Sequence, residues 1–224
     1  MSTTQKQKKI ARRRPPRFEL IAGAVCLDFI NTLDDRFTSE PKELLKTYLD
    51  LARFGEDAGI LDDSVVDRLF ARSQTAPEEA QKALGWAIEM REAMYAIFLA
   101  VATGKPVQRP PLVRLNQFIQ GAAEHAQLVP AQGAGTTTNE PFAWRFDFLP
   151  IGFDDPLWPI ARSAADLLSS HQLSNVHMCA SKTCQWFFLD TSKNHRRRWC
   201  DMTKCGNREK FRAFYSRSKK TVAK

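Results

Sequence analysis

Four cysteines stand in two matched pairs, Cys179 with Cys184 and Cys200 with Cys205, each pair enclosing four residues and the two separated by fifteen. Two tight turns that each present two sulfurs have the arithmetic of a tetrahedral four-thiolate zinc site. Two disulfides or an iron–sulfur cluster are the other chemistries open to four such thiols. A tetrahedral site filled by Cys179, Cys184, Cys200 and Cys205 has no open position for water, which argues against zinc catalysis and for one structural Zn2+. His177 and His195 lie close in sequence but are not needed as ligands.

The segments around the pairs must position them. Residues 185–190 form an aromatic run suited to a short strand, and residues 191–194 have turn chemistry. Residues 197–199 read as a return strand into Cys200. Residues 207–219 read as a helix, with Phe211, Phe214 and Tyr215 spaced to pack on that hairpin. Knuckle, hairpin and helix make a treble-clef-like arrangement.

At this point the sequence resembles a known family. Cys205-Gly206-Asn207-Arg208, preceded by Asp190-Thr191-Ser192 and Arg197-Arg198-Trp199-Cys200, resembles the bacterial CGNR zinc finger. Proteins similar to it carry an N-terminal ABATE domain, and Cys26-Leu27-Asp28-Phe29-Ile30-Asn31-Thr32-Leu33 resembles its opening. The resemblance implies zinc and a role in stress-induced transcription regulation. It implies no particular operator or ligand.

Charge is segregated along the chain. Residues 1–17 carry seven lysines and arginines and no acid. Residues 193–224 carry twelve against Asp201 and Glu209, so the stretch between the two ends is net −9. Basic ends on an acidic body attract polyanions. The cationic density peaks at Arg196, Arg197 and Arg198 and continues through Lys204, Arg208, Lys210, Arg212 and Arg217. These eight are the candidate nucleic-acid contacts, with Arg208 close enough to the last cysteine to brace the zinc loop instead. The bland reading of the same charge is compensation of a −2 zinc–thiolate centre.

The body reads as mainly helical. Apolar periodicity predicts helices over residues 23–32, 42–54, 63–73, 77–102, 111–124 and 156–170. Residues 127–130 and 142–148 read as a β-hairpin with a loose, glycine-containing tip. Ser39 and Thr75 are candidate caps. The fold class is thus α+β and mainly α: a multi-helical body with a hairpin and a C-terminal treble-clef-like finger. The expected division is a disordered basic tail over 1–17, an ABATE-like domain over 18–173, a zinc-finger domain over 174–218 and a basic tail over 219–224.

One polar group in the body stands out. Asp28, Asn31 and Thr32 share a face of an otherwise apolar helix, and Arg91 sits at the edge of the long helix's apolar stripe. A buried charge requires a partner, so Asp28 is expected to pair with Arg91. The sharper reading is a small-molecule effector pocket lined by Asp28, Asn31 and Arg91.

Phosphate-cradling glycine loops and hydrolase signatures are missing. No apolar run is long enough to cross a bilayer, and the basic start lacks the apolar segment of a secretory signal. A cytoplasmic setting is expected, where thiols stay reduced and zinc is favoured over disulfides. The leading function is a DNA-binding regulator with a sensing body. The main rival is a protein-interaction scaffold with structural zinc, RNA binding is a weaker third, and the oligomeric state is left open.

Overall fold

The computed structural model describes residues 17–131, 141–148 and 150–222, apart from the side chains of 213 and 216–222. The first sixteen residues of the basic tail, the hairpin tip and the last residues of the C-terminal tail lie outside the described residues.

Helices α1 (Val25–Ile30), α2 (Tyr48–Asp57), α3 (Asp63–Thr75), α4 (Pro77–Ala102), α5 (Arg109–His125) and α6 (Leu157–Leu168) build the body. The 26-residue α4 is its axis and touches all five others. Pro77 at the first helical position and Glu78 and Glu79 in the first turn suit its start. Its buried face runs from Ala80 to Phe98, with small alanines where neighbouring helices approach. Thr75 does not cap α4. Its hydroxyl donates to Arg72 O and closes α3.

The second helix begins later than the periodicity predicts. Thr47 and Asp50 form a capping box, with Asp50 accepting the Thr47 N–H at 2.9 Å, so helix starts at Tyr48 and Ser39 is no cap. Before it the chain is extended: β2 (Lys42–Glu43) pairs antiparallel with β1 (Leu33–Asp34). Arg17, the last residue of the expected tail, is anchored: its backbone N–H donates to Asp57 at 2.7 Å and its guanidinium pairs with Asp50.

The hairpin in the body forms as expected, β3 (Ala126–Pro130) against β4 (Phe142–Phe146). A 3₁₀ turn over His171–Asn175 then leads to β5 (Val176–Met178), which pairs antiparallel with β6 (Phe187–Leu189). Residues 197–199 are not the return strand; 176–178 take that place, and the first cysteine pair fills the connection between β5 and β6. A π-helical turn, Met202–Gly206, leads into α7 (Asn207–Val222).

The finger's hairpin packs into the body. Val176, Phe187 and Leu189 are buried in the same hydrophobic core as α1 and α4. Leu189 N–H donates to Ala22 O at 2.7 Å, and the Asn31 amide pairs in both directions with the Phe187 backbone, at 2.9 and 3.0 Å. Trp186 Nε1 donates to Asp34 at 2.9 Å. The expected packing of the α7 aromatic stripe on the hairpin does not occur: Phe211 and Tyr215 face each other at 5.0 Å between centroids and both are exposed, as is Phe214.

Candidate metal centre and its basic surround

Each cysteine reaches the centre for a local reason. Cys179 follows β5, and its N–H donates to Trp186 O at 2.8 Å, so the strand pairing itself sets the first ligand. Cys184 ends a turn closed by its own N–H on Ser181 O, with Gln185 in the left-handed region at φ 55° turning the chain back into β6. Cys200 and Cys205 flank Asp201, whose side chain caps the π turn by accepting from Thr203 N at 2.6 Å and Lys204 N at 3.0 Å. A Cβ at Gly206 would meet the sulfur of the exposed Met202 side chain, which would have to swing aside.

The four sulfurs lie within 4.8 Å of one another and all four residues are buried. Cys184 and Cys200 Sγ are 3.6 Å apart, and Cys200 and Cys205 Sγ are 3.7 Å apart. A tetrahedron with Zn–S bonds of about 2.3 Å has edges of about 3.8 Å, so these separations fit one zinc ion. None of the cysteines is disulfide-bonded. The thiols also interact strongly. Hydrogen bonds from Cys184 and Cys200 hold the Cys179 thiol far down, while Cys184 and Cys200, as the donors, are pushed up and Cys205 is raised by burial. Four thiolates at this spacing require a cation to ionise together. Cys26 plays no part; burial pushes its thiol up to about 12, as befits a core residue.

The predicted basic residues divide into two groups. Four have partners within the fold. Arg208 donates to Thr183 Oγ1 at 3.2 Å and to Cys205 Sγ at 3.4 Å, bracing the ligands directly. Arg197 donates to Trp199 O and Cys200 O and stacks on Phe188. Lys204 pairs with Glu19, and Arg212 pairs with Glu209, which also accepts from Ser181 Oγ at 2.8 Å. Arg196, Arg198 and Lys210 are exposed and have no carboxylate partner among the described residues. The Arg217 side chain lies outside the described residues.

The loop bearing Arg196 and Arg198 is fixed by Asp190, which the sequence marks as part of the family motif and as a possible partner of Arg208, a pairing the structure does not make. Its carboxylate accepts from Ser192 N at 2.9 Å and Arg197 N at 2.7 Å, and His195 Nδ1 lies 2.8 Å from its carbonyl oxygen. Burial opposes its ionisation, but the Ser192 and Arg197 hydrogen bonds win and hold it at about 2. Ala180 N donates to Arg198 O at 2.8 Å, tying the loop to the first knuckle.

Asp28 and Arg91 do not pair. Arg91 makes two 2.7 Å bonds to Glu43 and further bonds to Glu92 and Thr32. Asp28 instead accepts the Ala22 N–H at 2.9 Å, and Asn31 holds Phe187. Glu43 is hidden from the sequence because its approach depends on the β1–β2 pairing. Asn31 ties α1 to β6 and Arg91 ties α4 to β2, while Asp28 is used by the backbone just before its own helix, so the three side chains do not converge on one partner.

Comparison with family models gives two matches. Residues 23–171 match ABATE, described as "Putative stress-induced transcription regulator", and residues 175–218 match the CGNR zinc finger. Curated proteins yield no match. Among the described residues no helix is long and apolar enough to cross a membrane.

Proposed function

Because the chain belongs to the ABATE family and carries a CGNR zinc finger, we propose that it is a non-catalytic, DNA-binding transcription regulator whose structural zinc stiffens a phosphate-gripping loop. The observation that carries this reading is the division among the basic residues. Arg197 and Arg208 bond to the knuckles and hold the centre, while Arg196, Arg198 and Lys210 are exposed with no carboxylate partner among the described residues. A groove of about 410 Å³ runs beside Lys193, Arg196, Arg198 and the Trp199 ring. Cations held in one geometry bind phosphates with less ordering cost than a tail. In this reading the 196–198 loop grips one strand and α7 lies along the duplex.

The test is a charge-removal series on zinc-loaded protein with duplex DNA. Arg196→Gln, Arg198→Gln and Lys210→Gln should each weaken binding and lower the slope of log affinity against log salt by about one. Arg197→Gln and Arg208→Gln should instead reduce zinc retention. If the first three are removed together and duplex affinity is unchanged while zinc stays bound, the scaffold reading replaces this one. That second reading has its own support in the exposed Phe211 and Tyr215 rings on α7. Stronger binding to single-stranded RNA than to duplex DNA would favour RNA as the partner.

A further inference from the structure

The body holds a cleft that the sequence does not indicate. It is about 780 Å³ and lies between α6, the β4 end of the hairpin and the loop after α2, with Leu189 of β6 in one wall. That volume lies within the range of small-molecule sites. The lining is unusual for a surface hollow. Trp144 stands 45% exposed on β4, and Phe146 and Phe148 stack at 6.4 Å with their planes 11° apart.

Two arginines line the cleft, Arg145 and Arg162, and the second is held in a fixed pose. The Arg162 guanidinium lies 3.9 Å from the Trp144 ring centroid, and its Nε donates to both Asp166 oxygens at 2.8 and 2.9 Å. Stacking fixes its plane, and Asp166 takes one edge. The terminal nitrogens have no partner among the described residues. That free edge is the end-on fork that receives a carboxylate with two parallel bonds. Asp166 balances Arg162, and Arg145 and Asp62, which also line the cleft, balance each other in sign, so the unfilled Arg162 fork matches one carboxylate beside an apolar plane.

We propose that this cleft binds a planar aromatic monocarboxylate, its ring against Trp144, Phe146 and Phe148 and its carboxylate on the Arg162 terminal nitrogens. The site also has a route to the basic loop. Leu189, in the wall, is fixed to Ala22 by its backbone and immediately precedes Asp190, which holds Ser192 and Arg197 in place. Occupation of the cleft should therefore alter duplex affinity; that consequence rests on the DNA-binding reading, whereas the binding itself does not.

The experiment uses full-length, zinc-loaded protein and titration calorimetry with 2-naphthoate and its uncharged counterpart 2-naphthol. Binding of naphthoate with quenching of tryptophan fluorescence is expected. Arg162→Met should weaken naphthoate at least about tenfold, through loss of the charge-assisted fork, and leave 2-naphthol unchanged. Arg114→Met, a surface arginine stacked on Phe118 outside the cleft, should change neither. No naphthoate binding at millimolar concentration overturns the proposal, and so does binding that Arg162→Met leaves intact. Duplex affinity is then measured with and without naphthoate. A shift that Arg162→Met abolishes supports the coupling, and an unchanged affinity overturns the coupling alone. Absence of duplex binding under all conditions refutes the DNA reading and leaves the calorimetric outcome unaffected.

Discussion

Replacing Asp28 by asparagine should make the protein more stable at neutral pH. Asp28 is buried on α1, and burial pushes its carboxyl up from 3.8 to about 6 despite the hydrogen bonds from the Ala22 and Ile21 backbones. Among the described residues no cation offsets it, because Arg91 is engaged by Glu43 and Glu92. Below pH 4 both folded and unfolded states carry the proton, and the side chain is neutral in each. Between pH 4 and 6 the unfolded chain loses the proton first, so stability falls as pH rises; above pH 6 the full penalty is present. A shift of about two units corresponds to about 3 kcal/mol. Asparagine resembles the protonated acid and retains an oxygen for the Ala22 N–H. The variant should therefore gain up to about 3 kcal/mol at pH 8 and about half of that at pH 5. Urea denaturation at both pH values with zinc present measures the difference, and an unchanged m-value shows that the same surface is exposed. A loss of stability at pH 8 would refute the reasoning and point to a cationic partner for Asp28. A gain that does not depend on pH would refute the titration argument.

Two further outcomes follow from the packing. Arg91→Met should destabilise by about 3 kcal/mol, the lower end for a broken buried pair because Glu43 is one-third exposed and can recover water; thermal or urea melts reading under about 1 kcal/mol would show that the pair is not integral to the body. Chelation of zinc, or Cys205→Ser, should release amide protection over 190–215 while β5 and β6 keep theirs, because Phe187 and Leu189 are held by the body core rather than by the metal. Hydrogen exchange checks this, and simultaneous loss of protection in both strands would show that the metal, not the core, secures the hairpin.

The sequence is most informative where a local pattern suffices. Pro77 and the acids after it mark the start of α4, and the stripe from Leu84 to Phe98 carries it through to Ala102. The cysteine spacing places four sulfurs around one point. It misleads where a distant segment decides. Leu44, Leu45 and Tyr48 have helical spacing, yet the Thr47–Asp50 capping box starts the helix only after the first two of them. The aromatic run at 187–189 needs a partner strand, and the nearest candidate, 197–199, is instead held by Asp190 and Arg197 in a loop. Asp28 and Arg91 look like partners because each needs compensation. Glu43 reaches Arg91 first, through a two-residue strand with no periodic signature. The Arg162 cleft leaves no linear trace because its rings come from β4 and the chain just after it, and its cation from α6.

The two family matches meet at residues 172–174, within the 3₁₀ turn that precedes β5. A cut there looks natural on paper and would be costly in practice. The C-terminal piece would carry Phe187 away from its place beside Phe98 and Tyr95, and the N-terminal piece would leave the Asn31 amide without the backbone it grips. Exchange of fingers between relatives by recombination would succeed only where the incoming hairpin presents an aromatic at 187 and a backbone register that Asn31 can read. Heredity can treat the finger as a cassette only if it moves together with the helix that clasps it.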